Sequence, residues 1–184
     1  MIKMKWFKRI LSHLRGEQNI NKLIKRGLVI GNNCKLGNCH LDPSHCFHIS
    51  IGDNVTFGPE VRVLAHDAST KVFLDYTRVA NVKIGNNVFI GAHSIVMPGV
   101  TIGDNVIIGA GSIVTRDIPE NSVAIGAPAK MLKSLSEYLE SKKNEMIPEC
   151  LFEDEYTVRN PEFDKAKKQE LIDTCARLGQ AYVK

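Results

Sequence analysis

Residues 84–115 read IGNNVF-IGAHSI-VMPGVT-IGDNVI-IGAGSI-VT, and cutting the stretch every six residues brings one kind of side chain to the head of every piece. The heads are Ile84, Ile90, Val96, Ile102, Ile108 and Val114, all β-branched aliphatics. Gly85, Gly91, Met97, Gly103, Gly109 and Thr115 follow them, and four places after each head stand Val88, Ser94, Val100, Val106, Ser112 and Ile118. Neither the 3.6-residue helical period nor simple strand alternation produces this spacing. A flat coil with a corner every six residues does, with the head and the fourth residue after it both pointing inward. Three hexads make one coil of 18 residues. A single coil cannot bury its own apolar interior, so the coils must stack, and the aliphatics then form columns down the axis.

Upstream the same period recurs with interruptions. Gly-Asn-Asn-Cys at 31–34, Gly-Asp-Asn-Val at 52–55, Gly-Asn-Asn-Val at 85–88 and Gly-Asp-Asn-Val at 103–106 lie 21, 33 and 18 residues apart. The last interval is one coil; the others are one coil plus three and plus fifteen residues. Gly and Asn suit corners because they tolerate positive φ and bond locally. The fifteen extra residues must leave the coil as a loop over 66–81, which opens at Ala65-His66-Asp67.

The run from Ile84 to Lys130, which ends Asn-Ser-Val-Ala-Ile-Gly-Ala-Pro-Ala-Lys, resembles the C-terminal half of the hexapeptide-repeat acyltransferases, in particular the galactoside, maltose and polysaccharide O-acetyltransferases. The likeness covers roughly residues 28–132. It implies a mainly β fold, a left-handed parallel β-helix with short helical segments at both ends. Its handedness departs from the usual crossover preference and comes from the resemblance alone. Enzymes of this group carry a catalytic histidine where a loop interrupts the helix, and the matching position is His66. The resemblance also implies acetyl-CoA as acyl donor, a homotrimer with its sites between subunits, and CoA contacts at Ala92, Ala110, Thr115, Arg116 and Lys130. Asn38 matches an asparagine directed at the acceptor sugar, although Gly37-Asn38-Cys39-His40-Leu41-Asp42 departs from the family pattern around it.

The chemistry supports His66 independently. Moving an acetyl group from a thioester to an alcohol requires taking a proton from a hydroxyl of pKa far above 7, and an imidazole titrating near ~6.5 is suited to accept it. A loop leaving a rigid scaffold is where two substrates can meet. Of His13, His40, His45, His48, His66 and His93, His66 alone stands where the repeat breaks into the long loop. Asp67 is a candidate acceptor or positioning contact, but neighbouring side chains in an extended segment point apart, so a backbone carbonyl would orient the imidazole equally well. Arg116 and Lys130 offer positive charge to the phosphates of a CoA. The N–H near Ala92 could serve a tetrahedral oxyanion. His93 lies within a regular hexad, where an outward structural residue or a groove-lining one is expected.

The ends differ from the middle. Residues 1–26 hold eight Lys/Arg against Glu17, and the rest of the chain sums to −3, so positive charge is no property of the folded body and no nucleic-acid partner is expected. Ile2, Trp6, Ile10 and Leu14 fall at helical spacing among lysines, which predicts a basic amphipathic helix within a segment 1–27. It suits packing on its own domain or a neighbouring subunit, with peripheral membrane contact through residues 1–15 as the alternative. It lacks the apolar run of a signal peptide. Five cysteines without a C-x-x-C pair suit a reducing, cytoplasmic setting. Cys34, Cys39 and Cys46 beside His40, His45 and His48 match no closed zinc spacing, and no metal is expected. The catalytic domain is assigned to 28–130 and a helical cap or extension to 131–184, with one helix from Met131 to about Lys143 and a second opening at Asn160-Pro161-Glu162.

Three classes of function compete for this pattern. The acyltransferase is preferred, with a sugar, glycan or related hydroxyl as acceptor. An antibiotic-acetylating enzyme shares its fold and chemistry. A γ-carbonic-anhydrase-like metal enzyme needs three converging histidines, whereas His66 and His93 alone lie in the appropriate half, 27 residues apart. A non-catalytic β-helix subunit is disfavoured because His66, the loop and the basic C-terminal rim are all present.

Overall fold

A computed structural model describes residues 18–184, and the basic amphipathic helix expected over 1–15 lies outside the described residues. The chain divides into two compact units, residues 1–136 and 137–184. The first is a coil of three parallel sheets, and their composition follows the hexad reading. One side stacks β1 (Val29–Ile30), β3 (Ile49–Ile51), β8 (Val82–Ile84) and β11 (Thr101–Ile102). The second stacks β4 (Thr56–Phe57), β9 (Phe89–Ile90), β12 (Ile107–Ile108) and β14 (Ser122–Gly126), with β15 (Ala129–Ser134) antiparallel to β14. The third stacks β2 (His40–Leu41), β5 (Arg62–Val63), β10 (Ile95–Val96) and β13 (Ile113–Val114). The chain visits the first, second and third sides in turn.

The hexad heads fill the interior. Ile90, Val96, Ile102, Ile108 and Val114 are wholly buried, and so are Val106, Ser94 and Ser112 among the fourth-place residues. Register puts like on like, with Ile51 beside Ile84, Ile84 beside Ile102, and Val63 beside Val96 beside Val114. Each such aliphatic adds roughly 1.5–3 kcal/mol through burial. The two buried serines are satisfied, both hydroxyls donating to the Gly109 carbonyl, at 3.0 Å from Ser94 and 2.6 Å from Ser112.

The corner between the first and second sides is an asparagine ladder. Asn33, Asn54, Asn87, Asn105 and Asn121 all hold φ between 54° and 57°. The first four each donate their amide to the next side-chain carbonyl, at 3.3 Å from Asn33 to Asn54 and 3.0 Å along the other three rungs. Asn87→Ala therefore places at positive φ a residue that tolerates it less well than asparagine and removes two rungs. A destabilisation of about 1–3 kcal/mol is expected, chiefly from the two lost hydrogen bonds and read as a lowered urea midpoint, and an unchanged midpoint would show that the ladder contributes nothing.

The two expected interruptions both appear, and they leave at the same corner. Val96 and Ile102 are six residues apart between the third side and the first, but Leu41 and Ile51 are ten apart and Val63 and Ile84 twenty-one apart. The three-residue excess of the first coil is thus four extra residues at this corner and one fewer between Leu36 and Leu41. The four extra residues form a turn ending in a single 3-10 turn, Cys46–His48. The long excursion is more ordered than a plain loop. β6 (His66–Asp67) pairs antiparallel with β7 (Arg78–Val79), and Lys71–Leu74 forms one helical turn between them.

Leu23, on the short helix Ile20–Ile24, joins the buried core at the first coil, so only a fragment of the helical segment expected over 1–27 falls among the described residues. In the second unit the helix Lys165–Leu178 is capped by Asp164, whose side chain accepts from Lys167 N–H. That corrects the start expected at Asn160-Pro161: Phe163 N–H bonds Asn160 carbonyl in a turn before the helix begins. Likewise the helix expected from Met131 begins at Leu135, because residues 129–134 are drawn into pairing with β14. The parallel pair Leu151–Phe152 and Tyr182–Val183 completes this unit.

Candidate active site

His66 is the first residue of the excursion, and its imidazole meets a partner that spacing alone did not single out. Its Nδ1 bonds to Oδ2 of Asp42 from the preceding coil. Asp42 follows β2 directly and is 2% exposed, with its carboxylate held on every side. Oδ1 accepts the N–H groups of Ser44 at 3.0 Å and His45 at 3.1 Å, and Oδ2 accepts the N–H of Ala65 at 3.1 Å. Burial alone would raise this carboxyl's pKa. The bonds from His66 and from the His45, Ala65 and Ser44 backbones outweigh burial and hold it below the ordinary 3.8. An ionised Asp42 fixes the proton of His66 on Nδ1 and leaves the Nε2 lone pair free as a base.

The strand that carries Asp42 is itself pinned. Gln18 uses its side-chain amide as a strand would, accepting from Leu41 N–H at 2.6 Å and donating to Leu41 carbonyl at 2.7 Å. The base of the excursion is closed by the β6–β7 pair and by Arg78, whose guanidinium donates to the Pro98 carbonyl at 3.1 Å on the next coil. His66 is thereby mounted on a paired strand, while about a third of its side chain stays open to solvent.

Asp67 does not orient His66. Its carboxylate accepts the Ser69 N–H at 2.9 Å and turns the chain into the excursion, and that bond holds its pKa below the usual value. The other expected contacts fall on two corners flanking the third sheet. Asn38, Ala92 and Ala110 share the corner before it: Glu60 N–H bonds Asn38 carbonyl, His93 N–H bonds Pro59 carbonyl, and Gly111 N–H bonds Ala92 carbonyl, one above another. Gly58 and Gly91 make this stacking possible, since a Cβ on Gly58 would lie 2.5 Å from Ala92 N and one on Gly91 would overlap Ala110. Thr115 and Arg116 lie on the corner after the third sheet, in register with Leu64 and Ala65, and so on the His66 side. Both are exposed, as is Lys130 on β15 beside Ile125. His93 is an exposed corner residue at φ 58°.

Near Asn38 the structure adds two more polar residues. Glu60, at φ 60°, accepts from Asn38 Nδ2 at 2.5 Å and lies 2.9 Å from His40 Nε2. The thiols do not form a metal set. Cys39 and Cys46 are buried, and burial pushes the Cys39 thiol up to about 11 despite a backbone hydrogen bond that lowers it.

The repeat and its geometry place the chain in a class. Residues 81–116 match the family model of the bacterial transferase hexapeptide, six repeats. The chain belongs to this hexapeptide-repeat family, whose fold is the left-handed parallel β-helix. Its relatives include protein CapG of Staphylococcus aureus, 43% identical over 140 residues, covering 73% of this chain and 80% of CapG. It is also similar to the galactoside O-acetyltransferase of Escherichia coli K12, 40% identical over 94 residues, covering 50% of this chain and 46% of that protein. Among solved structures, a hexapeptide-repeat acetyltransferase of Vibrio cholerae complexed with acetyl coenzyme A matches with a TM-score of 0.53 at 28% identity, over 59% of this chain and 61% of that one. The chain therefore spans most of CapG but less than two thirds of the other two.

Proposed function

We propose that this protein is an acetyl-CoA-dependent O-acetyltransferase acting on a hydroxyl of a sugar, glycan or related acceptor. The observation that carries the reading is the Asp42–His66 pair at the corner where the excursion leaves the coil, a base already held in the tautomer that alcohol acetylation requires. The names of the relatives, acetyltransferases and one complexed with acetyl coenzyme A, support the donor. In the reaction His66 Nε2 takes the acceptor's hydroxyl proton as the oxygen bonds to the thioester carbonyl carbon. The carbon–sulfur bond then breaks, and the same proton passes to the departing CoA sulfur. Thr115 and Arg116 on the corner after the third sheet, with Ala92 and Ala110 across it, are the CoA-facing residues in this reading. Lys130 supplies further positive charge. Asn38 and Asp67 are assigned to the acceptor side.

The working unit in this reading is a homotrimer with its sites between subunits. Support comes from the excursion beside His66, where Val72, Phe73, Leu74 and Tyr76 are all strongly exposed and would be covered by a neighbouring copy. Five unpaired cysteines support a cytoplasmic setting, and the basic, aromatic-containing sequence of residues 1–15 supports peripheral membrane contact. A panel of glycosides, oligosaccharides and hydroxylated antibiotics, assayed by thiol release from acetyl-CoA, tests the proposal. Acceptor-dependent release with a glycoside is expected. Release with antibiotics alone would move the acceptor class, and absence of both release and acetyl-CoA binding would overturn the reading.

A further inference from the structure

The turn that delivers Asp42 also delivers a second imidazole. His45 lies within the extra residues of the first coil, and its ring centroid is 4.8 Å from that of His66. Its Nδ1 is shielded from solvent and has no hydrogen-bond partner. It lies 3.9 Å from Asp42 Oδ1, too far for a hydrogen bond. One donor atom each from Asp42, His45 and His66 lie within 4.8 Å of one another. Two ligand atoms on a tetrahedral zinc at bond lengths of about 2.0–2.2 Å are separated by roughly 3.3–3.5 Å, so small side-chain rotations suffice to close this set on one ion.

We propose that Asp42, His45 and His66 form a binding site for a divalent transition metal of the zinc type, and that occupancy withdraws His66 from catalysis. Two imidazoles and one carboxylate are a borderline nitrogen and oxygen set, which suits zinc over magnesium or calcium. The carboxylate is prepared as metal ligands commonly are, its oxygens oriented by the N–H groups of Ser44, His45 and Ala65. The side chains of His45 and His66 are 29% and 33% exposed, which leaves a path of entry and a coordination position for water. A metal on His66 Nδ1 would displace that nitrogen's proton, and the neutral ring would then carry its proton on Nε2, the atom that otherwise acts as the base. The effect on activity rests on the transferase reading above; binding does not.

The full-length protein, stripped with EDTA and desalted, is titrated with zinc chloride by calorimetry, and with cobalt(II) by visible absorption. A single tight equivalent is expected, with intense four- or five-coordinate cobalt bands and a parallel fall in acetyl transfer that EDTA reverses. His45→Gln keeps the volume but removes the ligand, and should weaken zinc binding and raise the half-inhibiting concentration by about tenfold or more. Zinc bound equally well by His45→Gln, or no binding to the native chain, overturns the proposal. His45-dependent binding in a protein without transferase activity would preserve the site and remove the transferase reading. Acetyl transfer unchanged with zinc bound would keep the transferase reading and overturn the withdrawal of His66.

Discussion

His66→Ala is expected to lower turnover by about 10²–10⁴-fold, the range a positioned general base contributes, while acetyl-CoA affinity stays close to native. The separation follows from where His66 sits. Its side chain is one-third exposed, and its polar contact is with Asp42, which keeps three backbone N–H donors after the imidazole is gone. The corner residues assigned to CoA, Ala92, Ala110, Thr115 and Arg116, lie on other coils with their own ladder bonds. Steady-state turnover and calorimetric acetyl-CoA binding on the same preparation check this. Activity within about tenfold of native would remove His66 as the base.

Asp42→Asn is expected to be nearly as damaging to turnover, by about 10²-fold or more, through another route. The asparagine amide would place its N–H₂ either where Oδ2 stands, facing His66 Nδ1 and the Ala65 N–H, or where Oδ1 stands, facing the N–H groups of Ser44 and His45. In the first arrangement the ring accepts at Nδ1 and carries its proton on Nε2, the wrong tautomer for a base. In the second a buried N–H faces another donor, at about 1–3 kcal/mol of stability. A packing role alone would leave the pH profile of the surviving activity unmoved, whereas loss of the carboxylate should shift its acidic limb. Stability should respond as well. The Asp42 carboxyl titrates below 3.8 in the folded chain, so its contribution is complete above that value and is lost as pH falls through the lower folded value. The variant should therefore unfold less steeply with acid than the native chain, and parallel acid curves would contradict the pairing.

The hexad period made most of the β-helix legible, because each step reports a local requirement. Ile84, Ile90 and Ile102 must point inward whatever coil they belong to, and Asn87 or Asn105 must turn a corner at positive φ wherever it stands. Helix starts were less legible. Asn160-Pro161 has the chemistry of a helix entry, yet a turn occupies it and Asp164 does the capping. Met131 has helical neighbours in sequence, yet β14 offers an unpaired edge and captures residues 129–134 as a strand. At Met131 a partner strand overrode local preference, whereas at Asn160 a competing local cap four residues on did so.

The site divides the same way. His66 could be picked out from sequence because the fifteen-residue interruption marks it, and a break in a period is a one-dimensional signal. Asp42 and His45 could not, although the three-residue interruption that carries them was visible in the same spacing. The interval of 21 does not say at which of three corners its extra residues leave, and only the register of Leu41 on Val63 puts them where the longer excursion departs. Residues 42 and 66 are 24 apart in the chain and touch because two insertions share one corner of a stacked coil. A repeat determines its own period; which side chains meet is set by the phase in which successive coils stack.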